Sequence, residues 1–212
     1  MIAVLIPTLK RPHRIVEVIQ NIKDTAPEAT PYFIIEEHDT ATAEAIEAAG
    51  ANKIVNTRAA SYAGAINTAI HLTTEPYIVM ASDDLIFYPN WAPPLLELAK
   101  DFGFVGTNDL HNRDVLSGQH ATHYLITKNY STQGSIDDPD AFLHEGYIHN
   151  YTDTEAVATA AYRKQWTPCL ESVIEHRHWV WGLATQDETY AKGTTTVHRD
   201  EALFNSRRHL WA

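Results

Sequence analysis

The chain is short of cysteine, of basic residues and of long apolar runs. Cys169 is the only cysteine among 212 residues. No internal disulfide can form, and a reducing compartment fits that usage best. Lys and Arg number 16 against 27 Asp and Glu, a formal net charge of -11. A general binder of duplex nucleic acid needs a basic surface, so this balance argues against one. A small anionic ligand in a local basic pocket stays open. No apolar stretch approaches the roughly 20 residues of a membrane span. The run Ile2 to Ile6 is too short for the apolar core of a secretory signal, and Lys10, Arg11 and Arg14 follow it. A soluble, cytoplasmic protein is expected.

Hydrophobic residues make up 44% of the chain, enough for one ordinary core, and the length suits one domain. The 12 histidines are many for this length. Most belong on surfaces or in cores, but the excess makes metal and acid–base sites worth seeking.

The first half alternates strand and helix signals. Ile2 to Ile6, Tyr32 to Ile35, Lys53 to Val55 and Tyr77 to Ala81 read as strands. Arg14 to Lys23, Thr42 to Ala49 and Ala63 to Leu72 read as helices. Ile15, Val18, Ile19 and Ile22 have helical spacing, and Gly50 stops the second helix. That order implies a parallel α/β sheet flanked by helices, with right-handed crossovers. After Pro89 the pattern loosens. A helix over Pro93 to Lys100 and strands over Phe102 to Val105 and His123 to Thr127 are predicted. A helix over Asp153 to Lys164 and a strand over Val173 to Val180 follow. No repeat or linker divides the chain. Residues 1–100 read as a ligand-binding half and 101–212 as a looser elaboration of the same domain.

The most informative stretch is Tyr77 to Phe87, where an apolar run ends in Ser82, Asp83 and Asp84. The carboxyl end of such a strand is where open α/β sheets place ligands. Two adjacent acids there are costly unless neutralised, and a divalent cation is the usual partner. An N-cap with a charged neighbour explains the same residues equally well. Thr8 and Lys10, and Glu36 and Glu37, also fall at strand ends, and a parallel sheet brings these ends to one rim. Arg11 beside them suits a diphosphate or a solvated basic cap. Asn67 and Gly64, within a predicted helix, could be purely structural. Asp153 and Glu155 stand at a loop-to-helix junction, where a carboxylate serves as a general base or, more commonly, as a cap. His176 and His178 would share one face of a strand, an arrangement suited to a metal or to a polar surface. One histidine completing an oxygen-rich site favours Mn²⁺ over Ca²⁺.

Taken together, the pieces resemble a glycosyltransferase of the GT-A fold, of the large inverting family 2. Ala3 to Pro12 resembles that family's first strand and nucleotide loop. Phe33-Ile34-Ile35-Glu36-Glu37 resembles its second strand, which usually ends in aspartates. Tyr62 to Ile70 resembles the helix before the metal strand, and Ser82-Asp83-Asp84 the "DxD" signature with Ser first. The match runs in order through residues 1–95 and thins beyond. Thr152-Asp153-Thr154-Glu155 looks like the "ED" region with Thr replacing the first acid. The membrane helices and "QxxRW" motif of processive synthases have no counterpart here. The chain is short for the family, like minimal enzymes of phages and bacteria, which points to a bacterial or phage-infected cell.

The resemblance implies a single GT-A domain using Mn²⁺ or Mg²⁺ and a nucleotide-diphosphate sugar, UDP-linked by expectation. Pro7, Thr8, Arg11, Glu37, Arg58, Asn67 and Asp83 form the expected donor set, with Glu37 on uracil and Asp83 on ribose or near the metal. Asp84 and His178, less so His176, would hold the cation, and Asp153 would be the base. Asp187 has no assigned role. The acceptor is open among protein, glycan and modified nucleobase. A nucleotidyltransferase is the second reading, weakened because Pro7-Thr8-Leu9-Lys10 is no Gly-rich phosphate loop. A non-catalytic nucleotide-sugar or glycan-binding module is the third. It would keep aromatic contacts such as Trp91, Trp166, Trp179 and Trp181 but need no base at Asp153.

Overall fold

The computed structural model describes residues 1–212. Strands β1 (Ile2–Pro7), β2 (Ala29–Ile35), β3 (Asn52–Val55) and β4 (Tyr77–Met80) alternate with helices α1 (Ile15–Thr25), α2 (Thr40–Ala48) and α3 (Tyr62–Leu72). All four strands run parallel in the order β3-β2-β1-β4, with Ile2 paired to Ala29 on one side and Tyr77 on the other. The reversal of order around β1 leaves a crevice above the carboxyl ends of β1 and β4, where α/β folds bind ligands.

The period-2 alternation of β1 explains the layering. Ile2, Val4 and Ile6 pack into one core with the apolar stripe of α1. Ala3 and Leu5 point the other way, into a second core built largely from α3 and its neighbours. Every residue of α3 from Ala63 to Ile70 is buried, so its small side chains are a packing requirement.

The second half departs from a purely parallel sheet. After β5 (Leu85–Phe87) and α4 (Ala92–Leu98), β6 (Phe104–Asn108), the short α5 (Arg113–Leu116) and β7 (Tyr124–Thr127) follow. Then come the short α6 (Lys128–Ser131), α7 (Thr152–Tyr162), β8 (Trp166–His176) and α8 (Glu188–Arg207). β7 runs antiparallel to both β4 and β6. β8 pairs parallel with β6, passes an irregularity near Gly106 to Asn108, and then pairs antiparallel with β5. The result is one eight-stranded sheet in which four of seven pairings are parallel.

Two sequence expectations need correcting. The strand expected over Val173 to Val180 lies at Trp166–His176, and Trp179–Trp181 is a turn of 3-10 helix. Helix α8 was not foreseen. Its buried face is carried by Tyr190, Gly193, Asp200 and Phe204, so polar and small residues blur the apolar periodicity that would reveal it. No helix is long and apolar enough to cross a membrane.

Gly64 is where packing leaves least room. A Cβ there would lie 2.1 Å from the carbonyl oxygen of Ala59, a backbone atom that cannot swing aside. Gly64→Ala should therefore destabilise the protein by about 2 kcal/mol, as overpacking does. Urea denaturation checks this, and an unchanged midpoint would contradict the tight approach.

Candidate active site

Two adjacent acids close β4, and each is met by a different set of counter-groups. Asp83 is 3% exposed and accepts hydrogen bonds from Thr8 Oγ1 and Arg11 Nη1, both at 2.5 Å. Burial pushes its carboxyl up, and the Arg11 guanidinium and Thr8 hydroxyl oppose that rise. Arg11 is itself buried. It forks onto Asp187 through Nε at 2.7 Å and Nη2 at 3.0 Å, and lies over the Tyr190 ring at 4.1 Å. The loop presenting it is set by Lys10, which adopts φ 55° and donates its amide to Asp39 at 2.6 Å. Asp39 also caps α2.

Asp84 is 4% exposed. It accepts from Ser82 Oγ at 2.5 Å and Tyr190 Oη at 2.8 Å, and His176 Nε2 stands 3.3 Å away. Burial would raise this carboxyl, but the charge and hydrogen bond of His176, with Ser82 and Tyr190, hold it well below the usual range. The β5–β8 pairing makes this approach possible. Leu85 faces His176, and the Arg177 amide donates to the Asp84 carbonyl at 2.9 Å. His178 follows, and its imidazole is pushed down to about 4 by burial and by His176, so it stays neutral near pH 7. Its Nδ1 accepts from the Val180 amide at 3.3 Å, leaving Nε2 free to ligate.

One ligating atom from each of Asp84, His176 and His178 lies within 4.8 Å of the others. A carboxylate and two imidazoles within that span suit a first-row divalent ion such as Mn²⁺. A cation would also settle the buried charge of Asp84, which otherwise relies on His176, Ser82 and Tyr190.

The opposite wall comes from the segment before α7. Tyr151 sits in the left-handed region at φ 65°, turning the chain so that Asp153 opens the helix towards the cavity. Asp200 of α8 is fully buried and accepts the amides of Ile148, His149 and Asn150 at 3.2, 3.0 and 2.9 Å. His149 lines the cavity, its imidazole held below the ordinary value chiefly by burial. Between the walls lies a cavity of about 410 Å³.

The structure brings most of the expected residues to this one cavity. Pro7, Thr8, Arg11, Asp83, Asp84, Asp153 and His178 all line it. Three do not. Glu37 is exposed at the apex of the turn closed by the Asp39 amide on the Glu36 carbonyl, and Glu36 and His38 face the cavity instead. Arg58 lies outside, paired with Glu145 at 2.6 Å and the Asp140 carbonyl at 3.0 Å. Asn67 is 1% exposed and clamps Leu143 through both its amide and its carbonyl, a structural brace. Sequence reasoning missed Tyr190, which belongs to the unforeseen α8, and gave Asp187 no role. It also passed over His120, His123 and His149, whose only signal was the histidine excess.

The sheet order, with an acid pair after β4 and histidines at and just beyond the end of β8, is that of a GT-A type α/β fold. The chain matches glycosyl transferase family 2 over residues 3–154 and belongs to that family of glycosyltransferases. Similar solved structures include glucosyl-3-phosphoglycerate synthase from Mycobacterium tuberculosis, with Mn²⁺, UDP and glucosyl-3-phosphoglycerate. It is 14% identical, with 84% of this chain and 72% of that one covered and a TM-score of 0.63. The same synthase is known with Mg²⁺ and UDP, at a TM-score of 0.61 and 13% identity, over 84% of this chain and 72% of that one. A mannosyltransferase from Pyrobaculum calidifontis, with GDP-Man and Mn²⁺, is 15% identical and matches with a TM-score of 0.65. That match covers 84% of this chain and 57% of the other. At such identities the likeness is one of fold. No curated protein matches the chain in sequence.

Arg11→Ala would leave Asp83 and Asp187 without their shared counter-ion. Removing one partner of a buried pair costs about 3–5 kcal/mol, and the half-exposed Asp187 adds little. Adding Asp83→Asn should restore part of the loss. A double-mutant cycle by chemical denaturation tests this, and strict additivity would contradict it.

Proposed function

We propose that this glycosyltransferase moves a sugar from a nucleotide-diphosphate sugar, UDP-linked in the first instance, to an acceptor hydroxyl with inversion and with a divalent cation. The observation that carries the proposal is the convergence on one cavity of Arg11, the Asp84–His176–His178 donor set and Asp153. Residues 1–100 supply most of the donor side, and 101–212 supply the acceptor side together with His176 and His178, which reach the donor site. Thr8 and the Pro7 turn border the nucleoside. Glu36 and His38 take the place at the base that sequence alone gave to Glu37. Asp83 acts by holding Arg11, whose guanidinium it bonds through Oδ1 while Oδ2 takes the Thr8 hydroxyl.

Asp84 and His178 would hold the cation with His176 in reach, Ser82-Asp83-Asp84 serving as a variant of the metal signature. Mn²⁺ or Mg²⁺ fits the holding role, and the two imidazoles favour Mn²⁺. When bound, the ion supplies charge stabilisation to the departing diphosphate. Arg11 adds a fixed guanidinium on the same side. Asp153, across the cavity, takes the proton from the acceptor hydroxyl as it attacks the anomeric carbon. Burial would raise the Asp153 carboxyl, but His120, with the Thr154 amide and His123, keeps it below the usual value, hence ionised at neutral pH. One carboxylate facing one displacement is the minimum for inversion. A UDP donor draws support from the UDP-bound Mycobacterium synthase, whereas the Pyrobaculum enzyme carries GDP-Man.

Asp153→Asn separates catalysis from binding. Transfer should fall by at least about a hundredfold, the scale of a lost general base, while calorimetric affinity for UDP in Mn²⁺ changes little. Retained turnover would remove Asp153 from the role of base, and lost UDP binding would place it on the donor side.

A further inference from the structure

We propose that His120 is a positioning residue for the reaction, holding the Asp153 carboxylate ionised and oriented towards the acceptor hydroxyl. This rests on the reading of Asp153 as base. His120 Nε2 lies 3.2 Å from Asp153 Oδ2, while Oδ1 accepts the Thr154 amide at 2.8 Å. The carboxylate is thereby fixed in the plane set by its own helix and by one imidazole. Asp153 lines the cavity and His120 does not, so the histidine stands behind the carboxylate and acts through it.

The loop that carries His120 is built rigidly. Gly118 turns at φ 74°, and the amides of Gln119 and His120 both donate to the Asp114 carbonyl, at 2.9 and 3.2 Å. Ala121 is fully buried, and Thr122 Oγ1 is tied to Asp109 at 2.9 Å. None of these loop bonds is made by the His120 imidazole, whose hydrogen bond goes to Asp153. His120 Nδ1 has no partner in the protein, and the side chain is 15% exposed, so the pair can exchange protons with bulk water.

The electrostatic surroundings agree with the geometry. Asp109 and Asp114 join Asp153 in favouring the imidazolium, and together they more than offset burial, so His120 sits above its ordinary value. Asp153 is faced by His120 and, at greater distance, by His123, with the phenols of Tyr62 and Tyr124 nearby. His123 is pushed down to about 3 and His149 below its ordinary value, both chiefly by burial. His176, which also feels Asp153, is paired with Asp84, so His120 is the imidazole hydrogen-bonded to Asp153. The attraction is complete where Asp153 is ionised and His120 protonated, and it fades as pH rises through the raised value of His120.

The test has two arms. In proton–nitrogen NMR of the full chain, the imidazole signal lost in His120→Gln identifies His120. Its titration should lie above that of a free imidazole in the wild type and fall in Asp153→Asn. Identical titrations in both would overturn the coupling. The second arm follows UDP release from UDP-glucose in Mn²⁺ with water as acceptor. Removing the cation lets burial raise Asp153, so the acid limb should move to higher pH in His120→Ala. A limb displaced by about one pH unit cuts the rate about tenfold below it and little above it. His120→Gln, which keeps a donor but no charge, should fall between, with UDP affinity in Mn²⁺ held within about twofold of the wild type. Superimposable profiles with an inactive Asp153→Asn would overturn the positioning role alone. An active Asp153→Asn would instead overturn the reading of Asp153 as base.

Discussion

The site is organised by the need to bury two neighbouring carboxylates at the end of one strand. Asp83 and Asp84 are nearly inaccessible, and neither could remain charged there unaided. The fold gives them separate counter-groups from distant parts of the chain. Arg11 comes from the loop after β1 to Asp83, and His176 comes from the end of β8 to Asp84. Separate partners offset the repulsion between the two acids, through which Asp84 still raises Asp83. Using two partners also forces the first loop and the last strand to meet over β4, which creates the cavity.

Helix α8 completes that arrangement by touching each wall. Asp187, which caps it, holds Arg11, and Tyr190 reaches Asp84. Thr189 bonds the Leu9 carbonyl at 3.0 Å, and Asp200 gathers three amides from the segment before Asp153. Arg207 at its far end pairs with Glu155 of α7 at 2.8 Å, and Glu155 also accepts the Tyr147 hydroxyl at 2.6 Å. A carboxylate two residues from Asp153 is thus taken up in structure, which leaves Asp153 as the acid of that pair open to the cavity. The donor-side loop, the acid pair and the segment carrying Asp153 are held through one polar helix.

What was legible in the sequence follows from which signals are local. The parallel half announced itself through apolar runs broken by turns, and α1 through the spacing of Ile15, Val18, Ile19 and Ile22. Strand-end placement was enough to gather Thr8, Arg11, Asp83 and Asp84. Placement one residue off was not legible. Glu37 and Glu36 differ only in where the turn after β2 begins, and that turn depends on Asp39 bonding Lys10 across the loop. The role of Asn67 was hidden because its partner, Leu143, is 76 positions away. Helix α8 was invisible because its burial satisfies polar groups rather than an apolar stripe. His120 illustrates the same limit, since only the folded loop brings it to Asp153.

The most direct test of the account is calorimetric titration of UDP into the protein with and without Mn²⁺, on the wild type and on Asp84→Ala. The account predicts binding that depends on Mn²⁺ in the wild type and is lost in the variant, since Asp84 is the buried carboxylate of the three-residue donor set. UDP binding that ignores Mn²⁺, or that survives in Asp84→Ala with its metal dependence intact, would contradict the assignment of the cation to this site.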